Sequence, residues 1–289
     1  GMNTERRTST KELSTVSTFH VTPFPTVDEN EQAPNTNDTT ATAMAVRPDV
    51  TVRGRLGGGQ LGDVDLYRVP AVAGQRLAVE VDAVRIADVR YGDTEYDLAV
   101  RVLDDAGREL AANDDSALHV QDPVAAVKLP RDGFAFVEVR RSVFIPREIA
   151  YCVHIGTNGR PLAAYPPGGP AGSALAVRLL GDPLGDRDET IAVPAEPGTF
   201  DSFGDAPSPL PLRSSPFPNL LEDTAAAETR IVSLPVAVNG IIEKPGDVDA
   251  FRVTVKKGDR LRLRVFAAAL GSPLDAVIRI RPAAAAAPG

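Results

Sequence analysis

Tryptophan is absent from this chain, and aromatic residues make up only 5% of it. Such a sequence has little material for the stacking platforms that hold single-stranded nucleic acid. The same argument counts, more loosely, against sugar-stacking surfaces. Basic charge is also in deficit: 31 Lys and Arg stand against 39 Asp and Glu, a formal net charge of -8. That balance repels a nucleic-acid backbone and an anionic membrane surface, so no nucleic-acid partner is expected. The single cysteine, Cys152, leaves no internal disulfide, and stability outside the cell would have to come from packing or from metal. Long apolar runs are missing too, and nothing approaches the roughly 18 residues of a membrane span. Met2-Asn3-Thr4-Glu5-Arg6-Arg7 leads into polar residues instead of an apolar signal core, so the sequence shows no signal peptide.

Catalytic motifs are equally scarce. The chain has no Gly-x-Ser-x-Gly elbow and no His-Glu-x-x-His helix. Gly57-Gly58-Gly59 lacks the Lys and helix of a phosphate loop and reads as a hairpin tip. The histidines, His20, His119 and His154, show no metal-binding spacing, and His119 reads as part of a polar loop. Cys152 and His154 stand two apart on an expected strand and so share a face. A thiol nucleophile needs its base in hydrogen-bond contact and oriented by a third group, which that spacing on a flat strand does not supply. The expectation is a protein that is not an enzyme.

What the chain does have is an internal repeat. Gly62-Asp63-Val64-Asp65-Leu66-Tyr67-Arg68-Val69 returns as Gly246-Asp247-Val248-Asp249-Ala250-Phe251-Arg252-Val253. Gly74, Arg76, Leu77, Val81 and Ala83 recur as Gly258, Arg260, Leu261, Val265 and Ala267, and Asp97 to Val102 recurs as Asp275 to Ile280. Upstream, Thr22-Pro23-Phe24-Pro25 recurs as Ser215-Pro216-Phe217-Pro218. An active site needs converging, non-equivalent residues, so two copies of one module point to an array of binding or spacer domains. After Ile280 come Arg281, Pro282 and an alanine-rich run with no likeness to the residues after Val102, so the second copy reads as incomplete.

The periodicity is that of strands. Leu77, Val79 and Val81 alternate with Ala78 and Glu80, and Leu98, Val100 and Val102 with Ala99 and Arg101, the period-two signature of half-buried strands. Asp104-Asp105-Ala106-Gly107 predicts a hairpin turn, with Gly107 free to take positive φ. No convincing helix period occurs between Pro23 and Gly156. The expected organisation is a mobile N-terminal segment over 1–22, a complete β module over 23–157, a Pro/Gly-rich small β unit or linker over 158–216, and the incomplete second module over 217–289.

Several motifs together carry a family resemblance. They are Glu29 and Glu31, Asn37-Asp38, Gly62 to Tyr67, Gly74 to Leu77, Asp104 to Leu110 and Asn113-Asp114-Asp115. In that order they resemble the bacterial pre-peptidase C-terminal (PPC) domain, which the first copy matches almost from end to end. With Tyr165-Pro166-Pro167-Gly168-Gly169 and the small β unit after it, the chain is similar to tandem arrays of PPC and immunoglobulin-like modules in planctomycete-type bacteria. The resemblance implies an all-β chain: a jelly-roll β-sandwich, a small immunoglobulin-like β unit, and a truncated second PPC-like module. It also implies a non-catalytic role and export to the secreted or cell-surface compartment.

Related collagen-binding domains bind calcium where an acidic N-terminal segment meets the sandwich. Carried over by position, the implied ligands are Glu29, Glu31, Asn37 or Asn35, Asp38, Asp63 and Asp65. The family places Pro-Asn directly after its second Glu, whereas Gln32-Ala33 intervenes here. In the second copy Glu222 and Asp223 match Glu29 and Asn30, but Thr224 replaces Glu31, and no tight site is expected there. The alternative reading of the same residues is plainer: Glu29 and Glu31 in a solvated linker, and Asp63 shaping a turn. Asn113-Asp114-Asp115 is expected to hydrogen-bond its own backbone. The function expected is a calcium-stabilised binding or spacer module for adhesion or substrate tethering, its partner a protein or extracellular polymer. The alternatives are an accessory domain that docks on a peptidase or assists its secretion, and a hydrolase whose site carries no short motif.

Overall fold

The computed structural model describes residues 6–9, 16–19, 21–30, 36–57, 62–87, 96–119, 121–143, 148–222 and 230–282. The chain divides into two compact units. One comprises Gly1–Leu162, Gly181–Asp186 and Phe203–Leu210; the other comprises Ala163–Leu180, Arg187–Ser202 and Pro211–Gly289. The described residues are nearly all β.

The first unit opens with an antiparallel pair, β1 (Arg6–Ser9) and β2 (Val16–Phe19). Then come β3 (Thr26–Asp28), β4 (Met44–Ala45), β5 (Val50–Leu56), β6 (Val64–Ala71) and β7 (Arg76–Asp82). A one-turn helix, α1 (Val84–Ala87), precedes β8 (Leu98–Asp104), β9 (Glu109–Asn113), β10 (Val124–Lys128), β11 (Gly133–Arg141) and β12 (Ile149–Gly156). One sheet runs β10-β7-β12-β5-β3 and the other β4-β6-β11-β8-β9. Successive strands from β5 to β8 change sheet each time, as do β10 to β12, and all are antiparallel to their neighbours. This is the order of a jelly roll, with β3 and β4 added as short parallel edges.

Strand alternation explains why the two sheets face each other. Val52, Leu56, Val79, Val81, Tyr151, Val153 and Ile155 of one sheet meet Tyr67, Val69, Val100, Val102, Val137 and Val139 of the other in a single buried cluster. Each such Val, Leu or Ile contributes about 1.5–3 kcal/mol on burial. The predicted turn after β8 forms: Gly107 takes φ 75 and its N–H reaches Asp104 O at 2.9 Å. Asp104 Oδ1 accepts from the amides of Ala106 and Arg108.

Three features depart from the sequence reading. The helical turn α1 was not expected, and it exists because Asp122 accepts from the amides of Ala83, Val84 and Arg85 at 2.8–3.1 Å. The outward face of β7 reads as a solvent face, yet Glu80 and Asp82 are each 1% exposed. His119 is likewise buried instead of lying in an open loop.

In the second unit β13 (Ala163–Tyr165), β15 (Ala174–Leu180) and β16 (Arg187–Ala192) form one three-stranded sheet. β14 (Gly168–Pro170), β18 (Leu210–Ser215) and β17 (Gly198–Ser202) form another. Beyond them lie two parallel pairs: β19 (Asn219–Leu221) with β21 (Ala237–Asn239), and β20 (Arg230–Val232) with β22 (Phe251–Val253).

Candidate functional site

The implied metal ligands converge on the end of the sandwich where β3 leads into the acidic segment and β6 begins. Glu29 comes just after β3 and is held to β5 by its own amide on Arg53 O at 2.9 Å. Asn37 is fixed from the other side, because its carbonyl accepts from Leu66 N–H at 3.0 Å. Glu29 Oε1 accepts from Asn37 Nδ2 at 2.8 Å and from the Tyr67 hydroxyl at 2.7 Å, and its Oε2 accepts from Arg55 N–H. The Tyr151 hydroxyl donates to Asp65 Oδ2, and Gly57 N–H donates to Asp63 Oδ2.

Three oxygens in this cluster are buried without a hydrogen-bond partner: Asn37 Oδ1, Asp38 Oδ1 and Asp63 Oδ1. Burial, and then the charge of Asp63, push the Asp38 carboxyl above its ordinary range. Some compensation comes from Arg141, whose guanidinium donates to the carbonyls of Gly57 and Leu56 and lies within reach of the Asp63 and Asp65 charges. Glu31, and the alternative Asn35, lie outside the described residues. Among the described residues no group of three or more His, Cys, Asp or Glu side chains is placed to hold a metal ion. The oxygens present are nevertheless hard donors of the type a calcium ion takes, and pooled carboxylates are best tolerated around a cation.

A second polar constellation, missed by the sequence reading, lies on the outward face of the other sheet. His154 Nε2 meets Asp82 Oδ2 at 3.0 Å, and its Nδ1 meets Thr51 Oγ1 at 2.8 Å. Thr51 Oγ1 in turn lies 2.9 Å from Thr22 Oγ1. Register explains the line: His154 of β12 stands between Thr51 of β5 and Glu80 of β7, with Asp82 two residues along the same face. Beside it, Arg85 pairs with Asp82 and Asp122. Arg160, 1% exposed, lies 3.4 Å from Glu80 Oε1 through Nε and donates through NH2 to His119 Nε2 at 3.0 Å.

Because His119 Nε2 accepts from a guanidinium, the ring is neutral. Burial first, and then Arg85, push it down to about 3. Burial alone would raise Glu80, but Arg160 and His119 hold it at about 2.

Acid, imidazole and hydroxyl in this order are the elements of an acyl-transfer triad. Here, however, Asp82, His154 and Thr51 are 1%, 3% and 2% exposed, so no substrate reaches the hydroxyl. Cys152, on the same face as His154, is pushed up to about 11 by burial and then by Asp82, the opposite of an activated thiolate. The one sequence signal for this layer was the run of Arg76, Glu80 and Asp82 at even positions of β7, which is also how a solvated face looks.

Asn113-Asp114-Asp115 folds on itself as expected, with Asn113 Nδ2 donating to Asp115 O and Asp115 N–H to Asp114 Oδ1. Of the second-copy positions, Glu222 is described, whereas Asp223 and Thr224 lie outside the described residues.

No protein-family model matches the chain, and no curated protein matches its sequence. Among solved structures, the chain is similar to the pre-peptidase C-terminal domain of a collagenase from Bacillus anthracis. The identity there is 13%, over 39% of this chain and 93% of that one, with a TM-score of 0.30. It is also similar to PliG from Aeromonas hydrophila, a periplasmic inhibitor of g-type lysozyme, at 15% identity over 46% and 96% of the two chains, with a TM-score of 0.25. Neither likeness is strong enough to carry an argument about function. No helix among the described residues is long and apolar enough to cross a membrane.

Proposed function

We propose that this protein is a non-catalytic binding or spacer module of an exported protein, serving adhesion or substrate tethering, with calcium stiffening the joint where its acidic segment meets the sandwich. The observation that carries the calcium reading is the trio of buried oxygens on Asn37, Asp38 and Asp63 that find no hydrogen-bond donor. Bound there, the cation would supply charge neutralisation and a cross-link between the segment and the start of β6. Asn37, Asp38 and Asp63 would hold it, with Asp65 and Glu31 completing the oxygen count that calcium prefers. The non-catalytic reading is supported by the sealed state of the Asp82–His154–Thr51 line. A protein or extracellular polymer is the partner class that fits a chain with net charge -8 and no tryptophan.

Thermal melting in EDTA and then in millimolar calcium tests the reading. A ligand at about 100 times its Kd adds roughly 2.7 kcal/mol to the folded state. A midpoint raised by several degrees in the natural sequence, but not in Asp63→Ala, is expected. An unchanged midpoint in calcium would remove the metal from the proposal.

A further inference from the structure

The second repeat copy opens as the first does. β19 runs parallel to β21 as β3 does to β5, and β20 runs parallel to β22 as β4 does to β6. Hydrogen bonds repeat as well. Ala237 N–H to Pro218 O, 3.0 Å, matches Thr51 N–H to Pro25 O, 2.9 Å; Glu222 N–H to Asn239 O, 2.8 Å, matches Glu29 N–H to Arg53 O, 2.9 Å. β22 therefore stands in the place of β6, with Phe251 at the position of Tyr67.

There the likeness stops. Residues 260–267 and 275–280 repeat the sequences of β7 and β8 but form no strand among the described residues. In the first copy, β6, β7 and β8 take partners from β9 to β12, and no repeat of those four strands occurs in the sequence. Side-chain exposure records the difference. Leu77, Val79 and Val81 are at most 1% exposed, whereas their counterparts Leu261, Leu263 and Val265 are 42%, 49% and 47% exposed. Val100 and Val102 are fully buried, whereas Ile278 and Ile280 are 49% and 75% exposed. So many apolar side chains in one segment mark an interaction site.

The first copy also says what the missing cover looks like. β11 lies between β6 and β8, with Val137 opposite both Tyr67 and Val102, and β12 lies beside β7, with Val153 opposite Val81. Glu138 of β11 takes Arg101 in a two-pronged ion pair at 2.7 and 2.6 Å, and Arg101 is repeated as Arg279.

We propose that residues 246–280 are a strand acceptor for a second polypeptide. The donor carries two strands of alternating Val and Ile, one entering between β22 and residues 275–280 and the other alongside residues 260–266. A carboxylate on the first strand faces Arg279. Main-chain pairing supplies the affinity and the alternating side chains the specificity. The calcium reading is independent of this surface.

Hydrogen exchange on the full chain tests the proposal. The probe is a soluble fusion carrying residues 109–156 of this same sequence. Amides of residues 248–253, 261–266 and 276–280 are expected to exchange at least about tenfold more slowly with the donor present. A Val137→Asp/Val153→Asp donor should give no protection, and a Glu138→Lys donor less than the natural one. Joining residues 103–156 directly after Ile280 should give the same protection, which covers a free donor that aggregates. Unchanged exchange with both the free and the joined donor would overturn the proposal. So would slow exchange of these amides in the chain alone, whether constant or rising with chain concentration; the latter would mean that a second copy covers the surface.

Discussion

Tyr67 and Tyr151 meet hydroxyl to hydroxyl, 2.5 Å apart, although they belong to opposite sheets of the sandwich. Both rings are buried, and burial, with Asp65 and Glu29 nearby, lifts both phenols well above their ordinary range, so both stay protonated. Their outer partners are Glu29 for Tyr67 and Asp65 for Tyr151. The acidic segment is thus wired to the core of the sandwich, and perturbing either end should be felt at the other.

Tyr151→Phe keeps the ring and removes the donor to Asp65. Leaving a buried acceptor short of its donor costs about 1–3 kcal/mol, to be read from denaturant unfolding. Gly54 adjoins the same ring: a Cβ there would stand 2.4 Å from Tyr151 Cζ. Gly54→Ala should therefore cost about 1–3 kcal/mol as an overpacking change, although it is a mild substitution for an ordinary strand.

Arg160→Met strips the guanidinium from between Glu80 and His119. Breaking a buried pair from one side costs about 3–5 kcal/mol, because the partner charge is left behind. Adding Glu80→Gln to that variant removes the stranded charge and should recover a large part of the loss. Unfolding free energies of the two single variants and the double variant measure this directly.

The buried layer also sets an acid limit. His119 is held at about 3 and Glu80 at about 2, against ordinary values of 6.5 and 4.5. Both groups bind protons more readily when unfolded, so stability falls with falling pH, from about 6.5 for the histidine and about 4.5 for the glutamate. The slope of midpoint against pH between 6.5 and 4.5 should flatten in His119→Gln, whatever the offset at neutral pH. An unchanged slope would place the ring in water.

Asp97 behaves in the opposite sense. Burial, and then Asp115 and Asp114, raise it to about 6 from an ordinary 3.8. Its charged form therefore opposes folding above that value, and acidification from 6 toward 3.8 relieves the strain. Asp97→Asn should be more stable than the natural chain at pH 7 and lose that advantage as pH falls through this window, as parallel melts would record.

The period-two runs around Val79, Val100 and Val153 were enough to predict an all-β chain, because alternation reports directly which face of a strand is apolar. The motif between Gly62 and Tyr67 likewise led to the acidic end of the sandwich, since Asp63, Asp65 and Tyr67 are close in sequence as well as in space. What the sequence could not show is the covering of the outward face of β7. Glu80, Arg160 and His119 are separated by dozens of residues, and a charged residue at an alternate strand position looks the same whether water or a guanidinium lies opposite. The helical turn after β7 was hidden for the same reason, since Asp122, which caps it, lies more than thirty residues away. Local pattern determined the strands and the repeat. Long-range pairing decided which polar groups are buried, because burial depends on what the rest of the chain places above them.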